Sequence, residues 1–171
     1  MKKVLLPILL TVGLQGVANA ADGTIEFTGS IISPPCTLDS AKSNISVPLG
    51  VYTSDALAGK GTETTAQDFD IVLTNCSTDK FSAVQTRFNF TPDSTDNQYI
   101  AITGSDSASG VAIKLMEQDG TLIKPNSEST AVQLPEGEGL SLSYKASYIS
   151  TADTVTEGSA NANGTFELMY Q

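Results

Sequence analysis

The stretch GSANANGTFELMY, residues 158–170, alternates strictly. Its even positions carry Gly158, Ala160, Ala162, Gly164, Phe166, Leu168 and Tyr170; its odd positions carry Ser159, Asn161, Asn163, Thr165, Glu167 and Met169. A period of two marks a strand with one wet face and one face on a core. The core side is built chiefly by Phe166, Leu168 and Tyr170. The sequence runs out one residue later, at Gln171, so the reading expects a strand whose outer edge no following element covers. A long apolar edge of that kind is a template for another chain, and a pairing partner is expected.

A second alternating stretch lies at the opposite end. Ile25, Phe27, Gly29 and Ile31 share one face, and Thr24, Glu26, Thr28 and Ser30 the other. Pro34 and Pro35 follow. A proline pair cannot donate to a ladder, so it acts as a hinge between this strand and the body that starts near Cys36. A glycine inside a strand marks a place where another backbone or a bulky group comes close, and Gly29 is such a position. The two ends have a joint explanation: one fills the other, either within one chain or between neighbours. Head-to-tail contacts between neighbours that do not close generate filaments.

The rest of the chain sets limits. At 171 residues it is one domain long. Residues 1–20 read as a secretory signal peptide: Lys2 and Lys3, an apolar run from Val4 through Leu14, then Ala18-Asn19-Ala20. That run is too short to span a bilayer, and no later segment approaches the roughly 20 apolar residues required. The expectation is therefore an exported chain with no membrane span, an extension over 21–33 and a body over 34–171. The formal net charge is −10, and removal of Lys2 and Lys3 leaves 7 − 19 = −12. Such a balance argues against nucleic-acid and anionic-membrane partners, which need clustered Lys and Arg. Cys36 and Cys76 are the only cysteines. In an exported chain they suggest one disulfide, closing a 41-residue loop (76 − 36 + 1) that chain entropy values at roughly 4 kcal/mol.

From Cys36 onward the segments are short, alternating and separated by Gly, Asp, Asn and Ser, which predicts an all-β fold. Strands are expected at 45–49, 69–76, 84–91, 99–103, 111–117, 121–123, 131–134 and 140–149, besides 158–170. Asp119-Gly120 is a hairpin signal. In the 140–149 segment Leu140, Leu142, Tyr144, Ala146 and Tyr148 are expected to face in, and Ser141, Ser143, Lys145 and Ser147 out. This pattern fits a β-sandwich of immunoglobulin type, without the buried Trp of antibody domains, since the chain contains no Trp.

The search for chemistry returns no catalytic, cofactor or metal set. The chain has no His, which removes imidazole catalysis and imidazole metal ligation. No Gly-rich phosphate loop and no G-x-S-x-G elbow occurs. Asp68 and Asp70 flank Phe69 and project to the face opposite Phe69, Ile71 and Leu73, which reads as a solvated strand face rather than a pair of working carboxylates. An enzyme is not expected.

On these residues the chain resembles the pilin subunits of the bacterial chaperone-usher pathway, such as those of type 1 and P pili. The marks are Phe27-Thr28-Gly29-Ser30-Ile31-Ile32 before Pro34-Pro35-Cys36, a second cysteine in Leu73-Thr74-Asn75-Cys76, the ending Phe166 to Gln171 with its penultimate Tyr170, and Gly158 fourteen residues from the end. The resemblance implies an immunoglobulin-like sandwich lacking its last strand, with a groove along the core. A periplasmic chaperone lends a strand to that groove, and at the outer-membrane usher the extension of the next subunit replaces it. Donor-strand complementation of pilins is a recognised instance of β-strand addition. Carried onto this chain, Ile25, Phe27 and Ile31 are the donated knobs, with Gly29 at the crowded position. Phe166, Leu168 and Tyr170, with Gly158, belong to the acceptor groove that faces the chaperone, and Cys36 and Cys76 tie the first body strand to its partner. The implied location is the cell-surface fimbria, reached through the periplasm, and the implied role is a major shaft subunit. A minor adaptor of the same pilus, or a self-contained secreted β-sandwich that binds carbohydrate, are the other readings.

Overall fold

The structure is a computed structural model that describes residues 25–43 and 45–171. The expected signal peptide and residues 21–24 lie outside the described residues. The chain divides into two units, Met1–Ile32 and Ser33–Gln171. In the described part of the first, residues 25–32 belong to no ladder. Its three large side chains are bare: Ile25 is 84 %, Phe27 92 % and Ile31 104 % exposed.

The second unit is a two-layer β-structure. In chain order it contains β1 Thr37–Leu38, β2 Gln67–Thr74, β3 Ala83–Asn89, β4 Val111–Glu117, β5 Leu122–Ile123, β6 Ser127–Glu128, β7 Val132–Gln133, β8 Leu140–Ser150 and β9 Thr165–Tyr170, with a 3₁₀ turn at Ser54–Leu57. One sheet runs β1-β2-β8-β4-β5. The other is centred on β3, which pairs with β6, β7 and β9. Every one of these pairings is antiparallel.

Alternation explains most of this. Phe69, Ile71 and Leu73 of β2, Val84, Thr86 and Phe88 of β3, and Leu142, Tyr144 and Ala146 of β8 are buried, and their intervening neighbours are mostly half-exposed. Burying each large apolar side chain removes it from water at about 1.5–3 kcal/mol, and the two inner faces meet in one core cluster. At the β4–β5 hairpin Leu115 sits opposite Ile123, and Gly120 adopts φ 90°, the left-handed conformation that such a turn requires. Thr37 sits opposite Thr74 where β1 meets β2. Cys36 and Cys76 lie just outside that pair and are joined in a disulfide.

Four expectations need correction. The final strand starts at Thr165, not Gly158. Residues 158–164 are held instead by bonds such as Thr103 N–H to Asn161 O at 2.8 Å and Ala108 N–H to Ser159 O at 2.9 Å. The 45–49 segment belongs to no ladder, for the reason given with the groove below. Residues 99–103 form no strand; only Ile100 bridges, to Pro92 and to Ile113. Ser147, expected to face solvent, is fully buried, as is Ile149 to 3 %. At that end of β8 the backbone of Gly61, Thr62 and Thr64 bonds along the strand, and Lys114, the ladder neighbour of Ser147, is drawn to Glu63 at 2.7 Å. Asp68 and Asp70 face away from the core as expected, and side chains beside them hold them there. Asp70 accepts from the hydroxyls of Ser141 and Ser143, and Asp68 accepts from Gln118 Nε2 at 3.2 Å.

Candidate functional site

β9 is bonded to β3 along one edge only. Ala83 and Gln171 exchange both of their backbone bonds, at 3.0 Å each way. Antiparallel ladders alternate, so the next exchanging pairs are Gln85 with Met169, Arg87 with Glu167 and Asn89 with Thr165. The even residues of β3 confirm the phase: Phe88 O accepts from Asn126 N–H, and Thr86 O from Ser129 N–H, on the side away from β9. It follows that the N–H and C=O groups of Phe166, Leu168 and Tyr170 point to the open edge. Their side chains meanwhile pack onto the core and stay half-exposed. The same three residues thus present both unpaired backbone and incompletely covered apolar surface.

Across from β9 runs the segment 45–53. Ile45, Val47, Leu49 and Val51 alternate on it. Ile45 is 61 % exposed and Val51 101 %, while Leu49 is buried. The gap between the two walls holds two cavities. The first, about 260 Å³, is lined by Ile45, Val47 and Leu49 on one wall, Ala162, Gly164 and Phe166 on the other, and a floor that includes Phe69, Ile71, Phe88 and Ile113. The second, about 710 Å³, lies between Gly50 to Asp55 and Val155 to Asn161. As numbers rise along one wall they fall along the other, so the walls run antiparallel with an open slot between them. The 45–49 segment has the composition of a strand and no strand beside it, which is why it forms no ladder.

Small side chains hollow out the β9 wall. A Cβ on Gly164 would sit 2.4 Å from Phe90 Cδ1 and 2.5 Å from Asn89 O, so only glycine lets the chain lie so close to β3. Ala160 and Ala162 continue the series. Gly158 closes it: a Cβ there would lie 2.3 Å from Ala108 N.

Of the residues named from sequence, Phe166 lines the first cavity and Gly158 the second. Leu168 and Tyr170 line neither, and continue the open edge toward the end of β9. The Tyr170 ring packs on Phe81, centroids 6.0 Å apart, and Gln171 O accepts from Ser82 and Ala83 N–H. Burial raises the Tyr170 phenol above its usual range. Ile25, Phe27, Gly29 and Ile31 lie in the first unit, exposed and without a ladder. Cys36 and Cys76 are bonded as expected. The sequence reading missed the second wall. Its signal was present in the alternation of Ile45, Val47, Leu49 and Val51, which reads equally well as an ordinary paired strand. Among the described residues no group of three or more Asp, Glu or Cys side chains is placed to hold a metal, and no helix is long and apolar enough to cross a membrane.

Comparison with known proteins gives consistent results. The family model described as fimbrial protein matches residues 25–171. The probable major fimbrial subunit LpfA of Escherichia coli O157:H7 is 34 % identical, with 100 % of this chain and 98 % of that protein covered. The major MR/P fimbria protein of Proteus mirabilis is 32 % identical over 100 % of both chains. Among solved structures, a Burkholderia pseudomallei antigen and type I fimbria protein is similar with 38 % identity and a TM-score of 0.62, covering 86 % of this chain and 97 % of that one. The P pilus rod subunit PapA shares the fold, with a TM-score of 0.68 at 24 % identity, covering 81 % and 100 %.

Proposed function

The chain belongs to the fimbrial protein family, and from that premise we propose that it is the shaft-building subunit of a surface fimbria, polymerising head-to-tail by strand addition. The observation that carries this reading is the slot beside β9, flanked by the bare backbone edge of Phe166, Leu168 and Tyr170 and floored by the core. An occupant must supply a strand with apolar residues at every second position. Residues 25–31 of a second copy have that pattern, and their apolar side chains are exposed.

Size complementarity selects a register. Gly29 of the incoming strand belongs opposite Phe166, the bulkiest β9 residue lining the first cavity. An antiparallel strand then sets Phe27 beside Leu168, Ile25 beside Tyr170, and Ile31 beside Gly164 at the hollow of the first cavity. Shifting the strand by two residues, so that Phe27 faces Phe166, would put Glu26 beside Glu167, a like-charge pair that destabilises a ladder. In the same reading, the mature chain starts at Ala21, residues 21–33 are the donated extension and 34–171 the body. A periplasmic chaperone guards the slot before an outer-membrane usher directs the exchange. A self-contained binding module is disfavoured because it leaves both the slot and the apolar extension without a role.

The test is the exported full chain run on a denaturing gel without boiling. Strand-added polymers should survive as a ladder, and Phe27→Asp should collapse it to monomer. A monomer from the unsubstituted chain, with a normal cooperative melt, would sink the reading.

A further inference from the structure

The larger cavity lies beyond the reach of residues 25–31. In the register above, which this inference rests on, position 34 of the incoming copy falls opposite Asn161 and position 35 opposite Ala160. Both wall residues line the 710 Å³ cavity. Pro34 lies five residues past Gly29, or about 17 Å of extended chain, so the proline pair arrives at this cavity in step with the strand before it.

Three observations fit that arrival. The first concerns hydrogen bonding. Asn161 O already accepts from Thr103 N–H at 2.8 Å, and Ala160 O from the Tyr148 hydroxyl at 2.8 Å. A strand passing here finds these carbonyls occupied, and prolines have no N–H to offer. The second concerns shape and chemistry. Tyr52 and Tyr148 both line the cavity with their rings edge-on, centroids 6.2 Å apart. Tyrosine-lined clefts are what extended proline segments dock into, because the stiff proline rings give up little entropy. The third concerns anchorage. Pro35 O accepts from Ser77 N–H at 2.9 Å, one residue after the disulfide cysteine, so the exposed Pro34 is the corner at which an incoming extension leaves its own rigid body.

We propose that the cavity framed by Tyr52 and Tyr148 is a docking site for the Pro34–Pro35 corner of the incoming copy. It extends strand addition into a proline-on-tyrosine contact and sets the angle between successive bodies. The occupant is a second copy of this chain, and Tyr52, at 37 % exposure, is the specificity residue.

The experiment uses the full chain carrying Ile25→Asp and Phe27→Asp, which silences its own extension at two exposed positions. Two synthetic peptides are titrated against it, one copying residues 21–33 and one copying 21–35. The longer peptide should bind about tenfold more tightly, the scale of one aromatic contact. Tyr52→Ala should erase that advantage and leave the affinity of the shorter peptide unchanged, while Tyr52→Phe should retain it. Equal binding of the two peptides overturns the proline site and leaves strand addition standing. If neither peptide binds, strand addition itself fails and the proline site falls with it.

Discussion

Tyr144 of β8 spans the two sheets to reach Thr86 of β3, its hydroxyl donating to Thr86 Oγ1 at 2.8 Å, with Ser129 Oγ 3.2 Å from the same phenol oxygen. Ser129 Oγ in turn accepts from Thr86 N–H at 2.9 Å. This is a closed polar knot inside an apolar core, where Phe69 and Phe88 pack on the Tyr144 ring at 5.6 and 5.0 Å. Tyr144→Phe leaves both hydroxyls short of a partner and is expected to cost about 1–2 kcal/mol, read as a lower urea midpoint of the disulfide-intact chain.

The same residue gives a pH dependence. Burial raises the Tyr144 phenol above the ordinary tyrosine range, outweighing its hydrogen bonds with Ser129 and Thr86, which lower it. A group whose folded pKa is raised stabilises fully below its unfolded pKa, and that contribution is lost as pH climbs through the folded value. Tyr148 and Tyr170 are shifted upward too, mainly by burial. Thermal stability should therefore fall as pH rises beyond about 10, and Tyr144→Phe should flatten that fall. An unchanged alkaline slope in the variant would remove Tyr144 from the account.

The slot makes its own demand on the donated strand. Burying one Phe side chain contributes about 1.5–3 kcal/mol, so a peptide copying residues 21–33 with Phe27→Ala should bind the silenced full chain roughly ten- to a hundredfold more weakly. Thr28→Ala, on the outward face, should leave affinity within about threefold. Comparable losses for the two would mean that the strand does not sit with Phe27 inward.

Two glycines separate close approach from backbone conformation. Gly61 adopts φ 87° in open space, whereas a Cβ on Gly158 meets Ala108 N and the Ser107 carbonyl carbon at 2.3 and 2.6 Å. Gly61→Ala should cost about 1 kcal/mol for its positive φ. Gly158→Ala must also displace backbone and should cost clearly more, seen as a larger drop in melting temperature.

The disulfide is a further handle. Cys36 and Cys76 are 40 residues apart, and cross-linking across such a loop stabilises by roughly 4 kcal/mol in chain-entropy terms. The Cys36→Ser, Cys76→Ser double variant should lower the urea midpoint by a corresponding amount, and a reducing agent should shift the unsubstituted chain equally but leave the double variant unmoved.

Much of this protein is legible in its residues taken alone. Strands β2, β3, β9 and the first half of β8 announce themselves by a period of two, because a strand with one face on a core and the other toward water must alternate. The Asp119-Gly120 hairpin and the Cys36–Cys76 disulfide are similarly local in their logic, and the apolar face of Ile25, Phe27 and Ile31 needs no structure to be seen. What alternation cannot say is whether a segment has found a partner. Ile45, Val47, Leu49 and Val51 carry the same pattern as a paired strand, and only the tertiary structure shows them as the far wall of an open slot. The burial of Ser147, the bonding of residues 158–164 to the 103–108 region and the tyrosine pair at Tyr52 and Tyr148 were equally out of reach. Each depends on residues tens of positions apart meeting in space. The chain by itself determined which faces are apolar, since that is a property of side chains in order; which of those faces remain uncovered was decided only by the packing of the two sheets, since that is a property of the space between them.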